Sequence, residues 1–303
     1  MKVITTVKNM QILSYELRKE EKMGFVPTMG FLHKGHLSLI DKARSLSEIV
    51  VVSIFVNPKQ FGPSEDYLTY PRDFERDKQL LKERDVDILF YPDIKDMYPT
   101  GYSTYVEVEG FDATLCGARR SGHMRGVATV CMKLFNIVRP HLAVFGEKDY
   151  QQAMLIKRMV SDMNLDIEIV LSPTVREGDG LAVSSRNIHL TDKERKDAAV
   201  LYKSLLFGKN LVEEGEDNTD KIIKTMRNMI EGKRTARIDY IEAVDSKNLK
   251  LVRTINKPVL LALAVYFGRT RLIDNIIAVP KDAAQENHKG TKNTKFTKNT
   301  KEK

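Results

Sequence analysis

The sequence predicts an α/β protein: a doubly wound parallel sheet first, a smaller α+β domain after it, and a lysine-rich tail. Three features carry this prediction. Short apolar runs alternate with stretches of helical period from Val3 to Leu171, the order that parallel sheets with right-handed crossovers require. Ile49 to Val56 is a nearly unbroken β-branched run, the pattern of a strand buried on both faces. Polar loops follow several of these runs, at the strand ends where open α/β sheets collect ligand groups.

Taken in order, Val3 and Ile4 predict a short first strand, and Val7, Met10, Leu13 and Leu17 recur at helical spacing behind it. Met23 to Val26 reads as a buried strand closed by Pro27 and Gly30, and Leu37, Ile40 and Ala43 mark the apolar stripe of a helix from about Gly35 to Ser47. After the strand Ile49 to Val56 come a loop from Asn57 to Pro63, a charged helix from Asp73 to Asp85, a strand from Val86 to Tyr91 and a small insertion strand from Tyr105 to Glu109. A helix from His123 to Val138, a strand from Leu142 to Phe145, the turn Gly146 to Asp149, a helix to Met163 and a strand from Ile167 to Leu171 complete the alternation. The loop Pro173 to Asn187 follows. Beyond about residue 190 helices precede strands: a capped helix opens at Thr191-Asp192 with Glu194 in its first turn, another spans Asp220 to Glu231, and strands run at Ile238–Val244, Val259–Phe267 and Leu272–Val279. The expected division is residues 1–174, 175–284 and a disordered tail, 285–303.

A chain of 303 residues is long enough for two domains with real cores. The apolar runs are too short to cross a bilayer, and the N-terminus lacks the layout of a signal peptide, so the expectation is a cytoplasmic protein. Its two cysteines, Cys116 and Cys131, read as reduced packing residues. The formal charge of +8 invites a nucleic-acid partner, but residues 285–303 hold six Lys and two Glu, so half of it belongs to the tail. That tail repeats lysine and threonine with Phe296 as its one apolar side chain from Thr291 on, too little to offset ordering entropy, and it reads as a solubilising segment or a weak tether. No specific nucleic-acid or membrane partner is expected.

The chain turns on residues 23–40, where the second strand meets a glycine-punctuated loop and a helix start. The first N–H groups of a helix lack internal partners, so an anion placed there gains hydrogen bonds and a favourable dipole. His33 and His36 flank Gly35 at that place; glycine leaves room for a phosphate, and imidazoles can donate to the charge that builds during phosphoryl transfer. On spacing alone the pair is more often filler than a site. A zinc site lacks a nearby Cys or carboxylate to complete it.

Several blocks together resemble the pantothenate synthetase (pantoate–β-alanine ligase) family of the nucleotidyltransferase superfamily. They are Pro27-Thr28-Met29-Gly30 with His33-Lys34-Gly35-His36, Phe55 to Phe61, Phe145 to Gln152, Ser184-Ser185-Arg186-Asn187, and Thr270 to Asn275. The resemblance covers residues 1–280, with Lys34, Ser121, Gly178 and Val183 as departures from the usual residues. It implies a Rossmann-like first domain and a homodimer. The implied reaction is ATP-dependent: pantoate is activated as its adenylate with release of pyrophosphate, and β-alanine then displaces AMP.

The family's residues carry over position by position. Met29, Gly30, Phe31, Leu32, His33, Lys34, Gly35 and His36 follow the triphosphate, with His36 in the proton-donor position. Gly146, Glu147, Lys148 and Asp149, with Val175, Val183, Ser184, Ser185 and Arg186, complete the ATP site, Lys148 and Arg186 supplying positive charge. Gln60 and Gln152 hold pantoate through neutral hydrogen-bonding groups that leave its carboxylate nucleophilic. Asn57, His123 and Arg120 are further members of the substrate site. The segment Phe61 to Arg72 is the expected lid, and Mg2+ is expected with ATP, with no protein ligand assigned. Two other functions fit parts of this pattern: a nucleotidyltransferase that keeps the nucleotide in its product, and a non-enzymatic RNA-binding module.

Overall fold

The computed structural model describes residues 1–63 and 65–281, so the predicted tail, 285–303, lies outside the described residues. Six strands form one sheet: β1 (Lys2–Ile4), β2 (Met23–Thr28), β3 (Ile49–Ile54), β4 (Ile88–Phe90), β5 (Leu142–Gly146) and β6 (Glu168–Ser172). All neighbours are parallel, in the order β1-β4-β3-β2-β5-β6. Crossovers are made by α1 (Val7–Leu17), α2 (Lys34–Arg44), α3 (Phe74–Lys82), the short α4 (Ile94–Met97) and α5 (Leu115–Arg119), α6 (His123–Val138) and α7 (Tyr150–Asp162).

The middle of the sheet is buried on both faces because β2, β3, β4 and β5 are apolar at nearly every step. Phe25 and Val51 enter a core with Met10 of α1, Phe135 of α6 and Ile156 of α7. Their neighbours Val26, Val50 and Val52 turn to the other face, against Ile40 and Ala43 of α2 and Leu81 of α3. From the middle the chain winds outward in opposite directions, so the switch of strand order falls between β2 and β5, which pair through Gly24 with Leu142 and Phe25 with Ala143. Loops leaving the carboxyl ends of these two strands therefore face one crevice.

The predicted insertion strand Tyr105–Glu109 is not a strand. It finds no partner strand among the described residues; the Val106 N–H donates to the Thr129 hydroxyl at 3.0 Å, which holds this extended segment against α6. Cys116 and Cys131 are buried free thiols, and burial pushes Cys131 up to about 12.

The C-terminal part is α8 (Asp192–Ala198), α9 (Val200–Glu214) and α10 (Thr219–Glu231), then the antiparallel strands β7 (Ala236–Asp245), β8 (Val259–Phe267) and β9 (Thr270–Ala278). Thr191 and Glu194 make the predicted capping box, but the helix they open breaks at Ala199 into α8 and α9. One face of this sheet, with Leu261, Leu263 and Val265, packs on Leu205 of α9 and Met226 of α10. Leu260, Ala262 and Ala264 of the opposite face join the core of the first sheet. Among the described residues no helix is long and apolar enough to cross a membrane.

Candidate active site

The loop after β2 is held from below. Thr28 Oγ1 donates to Ser53 O at 2.7 Å and accepts the Gly30 N–H at 3.2 Å. Gly30 and Phe31 then take φ of +83° and +50°, a left-handed pair that turns successive N–H groups into one concavity. The anion in that concavity is the protein's own: Asp77 of α3 accepts from Phe31 N–H at 2.6 Å and from Leu32 N–H at 2.7 Å. Asp77 is 1% exposed.

This bend delivers His33 as the cap of α2. The Nδ1 of His33 accepts from the Gly35 N–H at 3.2 Å, and the Nδ1 of His36 accepts from the His33 N–H at 3.3 Å. Two imidazoles thus play the parts that Ser or Thr and Glu play in a capping box. A nitrogen that accepts from the backbone carries no proton, so in each neutral ring the proton sits on Nε2. Burial lowers the pKa of His33 to about 4, helped by Lys148, and burial with His33 and Lys148 lowers His36 well below its ordinary value. Near pH 7 both rings are uncharged donors, their centroids 4.0 Å apart.

The cations of the site are already matched with acids. Lys148, on the turn after β5, lies 3.8 Å from Asp149. Arg120 forms a two-pronged pair with Glu65 at 2.7 and 2.6 Å, and Arg186 one with Asp66 at 2.9 and 3.0 Å. Burial opposes ionisation of Glu65, but Arg120 outweighs it and holds the carboxyl below the usual range. The remaining Arg120 nitrogen, Nη1, donates to His123 Nε2 at 2.9 Å, so His123 carries its proton on Nδ1 and donates to Gln60 O at 2.8 Å. Burial, then Arg120, lowers its pKa to about 4.

Asn57, in the loop after β3, has every polar valence used. It accepts from Tyr98 OH at 2.8 Å and Lys59 N–H at 3.2 Å, and donates to Gln60 Oε1 and Gly126 O, each at 3.1 Å. The close approach of α6 here depends on Gly126, where a Cβ would lie 2.2 Å from Lys59 O. Gln60 in turn donates to Met29 Sδ at 3.2 Å.

These groups converge. One cavity of about 230 Å³ is walled by Met29, His33, Gly35 and His36 from the first loop, Asn57 and Gln60 from the second, Arg120 and His123 at the start of α6, and Gly146, Lys148, Asp149 and Gln152 around the start of α7. Val175, Val183, Ser184, Ser185 and Arg186 close its far side. A wider cavity of about 660 Å³ adjoins it, lined in part by the C-terminal sheet, and shares Arg120, His123, Lys148, Asp149, Gln152, Ser184 and Arg186. Five predicted residues, Gly30, Phe31, Leu32, Lys34 and Glu147, are on neither wall. Leu32 is buried in the core, Lys34 is exposed, and the N–H groups of Phe31 and Leu32 are bound to Asp77, which removes them as direct phosphate donors in this state.

Sequence reasoning passed over Asp77, and it placed Glu65, Asp66 and Tyr70 only within the expected lid, Phe61 to Arg72, without a role at the cavity wall. Asp77 sits in a charged helix and looks like any solvated acid; Tyr70, expected in the lid, is 5% exposed and lines the cavity. Among the described residues no group of three His, Cys, Asp or Glu is placed to hold a metal ion.

The family model described as pantoate-beta-alanine ligase matches residues 2–277. Pantothenate synthetase of Thermosipho africanus is 55% identical over 278 residues, 91% of this chain and all of the relative, and that of Thermotoga neapolitana is 51% identical over the same share of this chain and 99% of its own. Among solved structures, a pantothenate synthetase of Thermus thermophilus superposes with a TM-score of 0.86 at 44% identity, covering 91% of this chain and 99% of the other. Pantoate-β-alanine ligase of Francisella tularensis, complexed with β-γ ATP and β-alanine, gives 0.75 at 38%, with 91% and 97% covered. With its loops after β2, β3 and β5 gathered on one crevice and nearly its whole described length matched, the chain belongs to the pantoate-β-alanine ligase family.

Proposed function

We propose that this chain joins pantoate to β-alanine in an ATP-dependent, AMP-forming ligation by way of a pantoyl adenylate. The observation that carries the reading is the meeting of the imidazole pair after β2 with Gly146, Lys148 and Asp149 of the turn after β5 on one cavity wall. In the first step a pantoate carboxylate oxygen bonds to the α-phosphorus while the bond to pyrophosphate breaks. In the second the free amine of β-alanine attacks the acyl carbon, AMP leaves with the bonding pair, and the nitrogen gives up one proton to the departing phosphate or to water. Both steps gather negative charge on phosphate oxygens, which preorganised donors stabilise without reorganising.

His33 and His36 present neutral Nε2–H donors to that charge, and Lys148, Arg186, Ser184 and Ser185 face it from the other side. Gln60 and Gln152 hold pantoate without neutralising its attacking carboxylate, and Asn57 acts by fixing Gln60. Arg120 and His123 border the pantoate end. Magnesium accompanies ATP, held by phosphate oxygens and water. The family resemblance further supports a cytoplasmic homodimer.

The test is a product assay with ATP, Mg2+, pantoate and β-alanine, each omitted in turn. Pantothenate, AMP and pyrophosphate should form together, and pantothenate should vanish when any one organic substrate is withheld. Folded protein that makes no pantothenate would sink the reading, and a retained nucleotide conjugate would favour a nucleotidyltransferase.

A further inference from the structure

The block Thr270 to Asn275 lies on β9, in the C-terminal sheet, yet two of its residues reach the loops that carry the active-site cations. Asn275 Nδ2 donates to Lys148 O at 2.8 Å and to Glu147 O at 3.1 Å. Neither the turn Glu147–Asp149 nor α7 behind it has a side-chain cap of its own. Asn275 therefore ties down a segment that its local sequence leaves loose, and the main chain it grips is that of Lys148.

Asp274, one residue earlier, takes the other loop. Its carboxylate, 1% exposed, accepts Arg176 Nη1 at 2.6 Å and Nη2 at 3.0 Å, and the Asn275 N–H at 2.8 Å. Arg176 also donates to Gly180 O at 3.1 Å, stacks on Tyr202 at 3.8 Å, and bridges Ala182 across the loop. This closes the base of the turn 176–182, from which Val183, Ser184, Ser185 and Arg186 emerge. Successive strand residues project in different directions, so one step along β9 serves two loops. β9 is itself anchored along its length to β8, Asp274 opposite Leu263 and Asn275 opposite Ala262.

We propose that Asp274 and Asn275 are positioning residues: they set the place of Lys148 relative to Arg186 across the cavity, making the C-terminal sheet part of the machinery for the adenylation step. The inference rests on the proposed roles of Lys148 and Arg186. Neither Asp274 nor Asn275 touches the reacting atoms in this scheme; both act through backbone and loop geometry.

The experiment compares Asn275→Ala, Asn275→Asp, Asp274→Asn and Lys148→Ala in the full chain. Readouts are pyrophosphate–ATP exchange in the presence of pantoate, steady-state kcat and KM, and thermal midpoint. Aspartate has asparagine's shape without its donors and would turn an oxygen toward two carbonyls. Asn275→Asp should therefore fall at least as far as Asn275→Ala, each losing about ten- to hundred-fold in exchange rate and kcat, as misplacements near an ångström do. KM for pantoate should change less than kcat, because of the groups proposed to hold pantoate only Gln152 shares the segment that Asn275 anchors, while Gln60, Arg120 and His123 lie on other elements. Wild-type exchange in Asn275→Asp overturns the proposal, and so does a loss matched by an equal collapse of folded protein. If Lys148→Ala itself keeps full activity, the role assigned to Lys148 has failed instead.

Discussion

Asp77→Asn isolates what holds the imidazole loop in place. The wild-type carboxylate offers one oxygen to each of two N–H groups, at 2.6 and 2.7 Å. An asparagine amide can keep one of these bonds, while its NH2 then meets the other N–H donor to donor. A hydrogen bond to a charged group is worth about 1.5–3 kcal/mol, and that is lost. Burial raises the pKa of Asp77 against the pull of those two N–H groups, so removing the charge also removes a desolvation cost. The two effects oppose each other, and the net loss of stability should be modest, about 1–2 kcal/mol. Function should suffer more. Gly30 and Phe31 hold left-handed conformations that the carboxylate supports, and their relaxation moves His33 and His36 together; a shift near 1 Å costs about a hundredfold in rate. Urea denaturation and pyrophosphate–ATP exchange, measured on one preparation, separate the terms. In addition, the Nδ1 acceptor bonds of both rings should weaken, visible as a changed tautomer balance in imidazole nitrogen resonances. Wild-type exchange with an unchanged nitrogen signature, or a rate loss that merely follows the unfolded fraction, would refute the reasoning.

Other expectations follow from the same geometry. His36→Ala should lower kcat by about a hundredfold or more with the fold intact, as loss of a transition-state donor does, and wild-type turnover would remove His36 from the mechanism. Asp66→Asn frees Arg186 from a half-exposed pair worth about 0.2–1 kcal/mol, so KM for ATP should fall by about two- to fivefold; a rise would show that Asp66 serves the nucleotide directly. Acid should destabilise the protein through its buried neutral histidines. His123 has a pKa of about 4 in the fold against 6.5 in the unfolded chain, so the unfolded state binds the extra proton, stability is complete above 6.5, and about 3 kcal/mol is lost as pH falls to 4. His33, at about 4, acts in the same direction. The slope of unfolding free energy against pH between 4 and 6.5 measures this, and His123→Gln should flatten it; an unchanged slope in that variant would exclude His123 as a source.

The fold was legible where one residue pattern had one solution. Ile49 to Ile54 could be little else than a central parallel strand, and the run of strand and helix placed the loops after β2, β3 and β5 on one edge. The Tyr105–Glu109 segment misled because its alternation, Tyr-Val-Glu-Val-Glu, satisfies the strand period, whereas pairing requires a neighbour and Thr129 of α6 supplies only a side chain. The cavity-wall residues were legible as motifs, but their bonding was not. Nothing local marks Asp77, which lies 45 residues from the Leu32 N–H it accepts, or Asn275, 127 residues from Lys148. Asn57 was legible as a position but not as a set of bonds. The resemblance places it in the substrate site and the cavity wall includes it, but its partners at Tyr98 and Gly126 come from elements that only the fold brings near.

These long-range bonds change how the resting site should be understood. A pocket built for a triphosphate and a carboxylate would carry strong self-repulsion if Lys148, Arg120 and Arg186 faced one another unpaired with charged imidazoles beside them. Instead each cation meets an acid, Asp149, Glu65 or Asp66, and both rings of the pair are neutral. Under the proposed roles, substrate entry is an exchange of anions, in which phosphate and carboxylate oxygens replace Glu65 at Arg120 and Asp66 at Arg186. Binding energy is drawn down by the pairs that must break, which keeps ground-state binding moderate. Among the described residues the neutral Nε2–H donors have no such partners to surrender. In the proposed reaction, charge building on the α-phosphate strengthens their bonds and draws their pKa values upward, so the contribution proposed for them grows along the reaction coordinate while that proposed for the arginines is committed at binding.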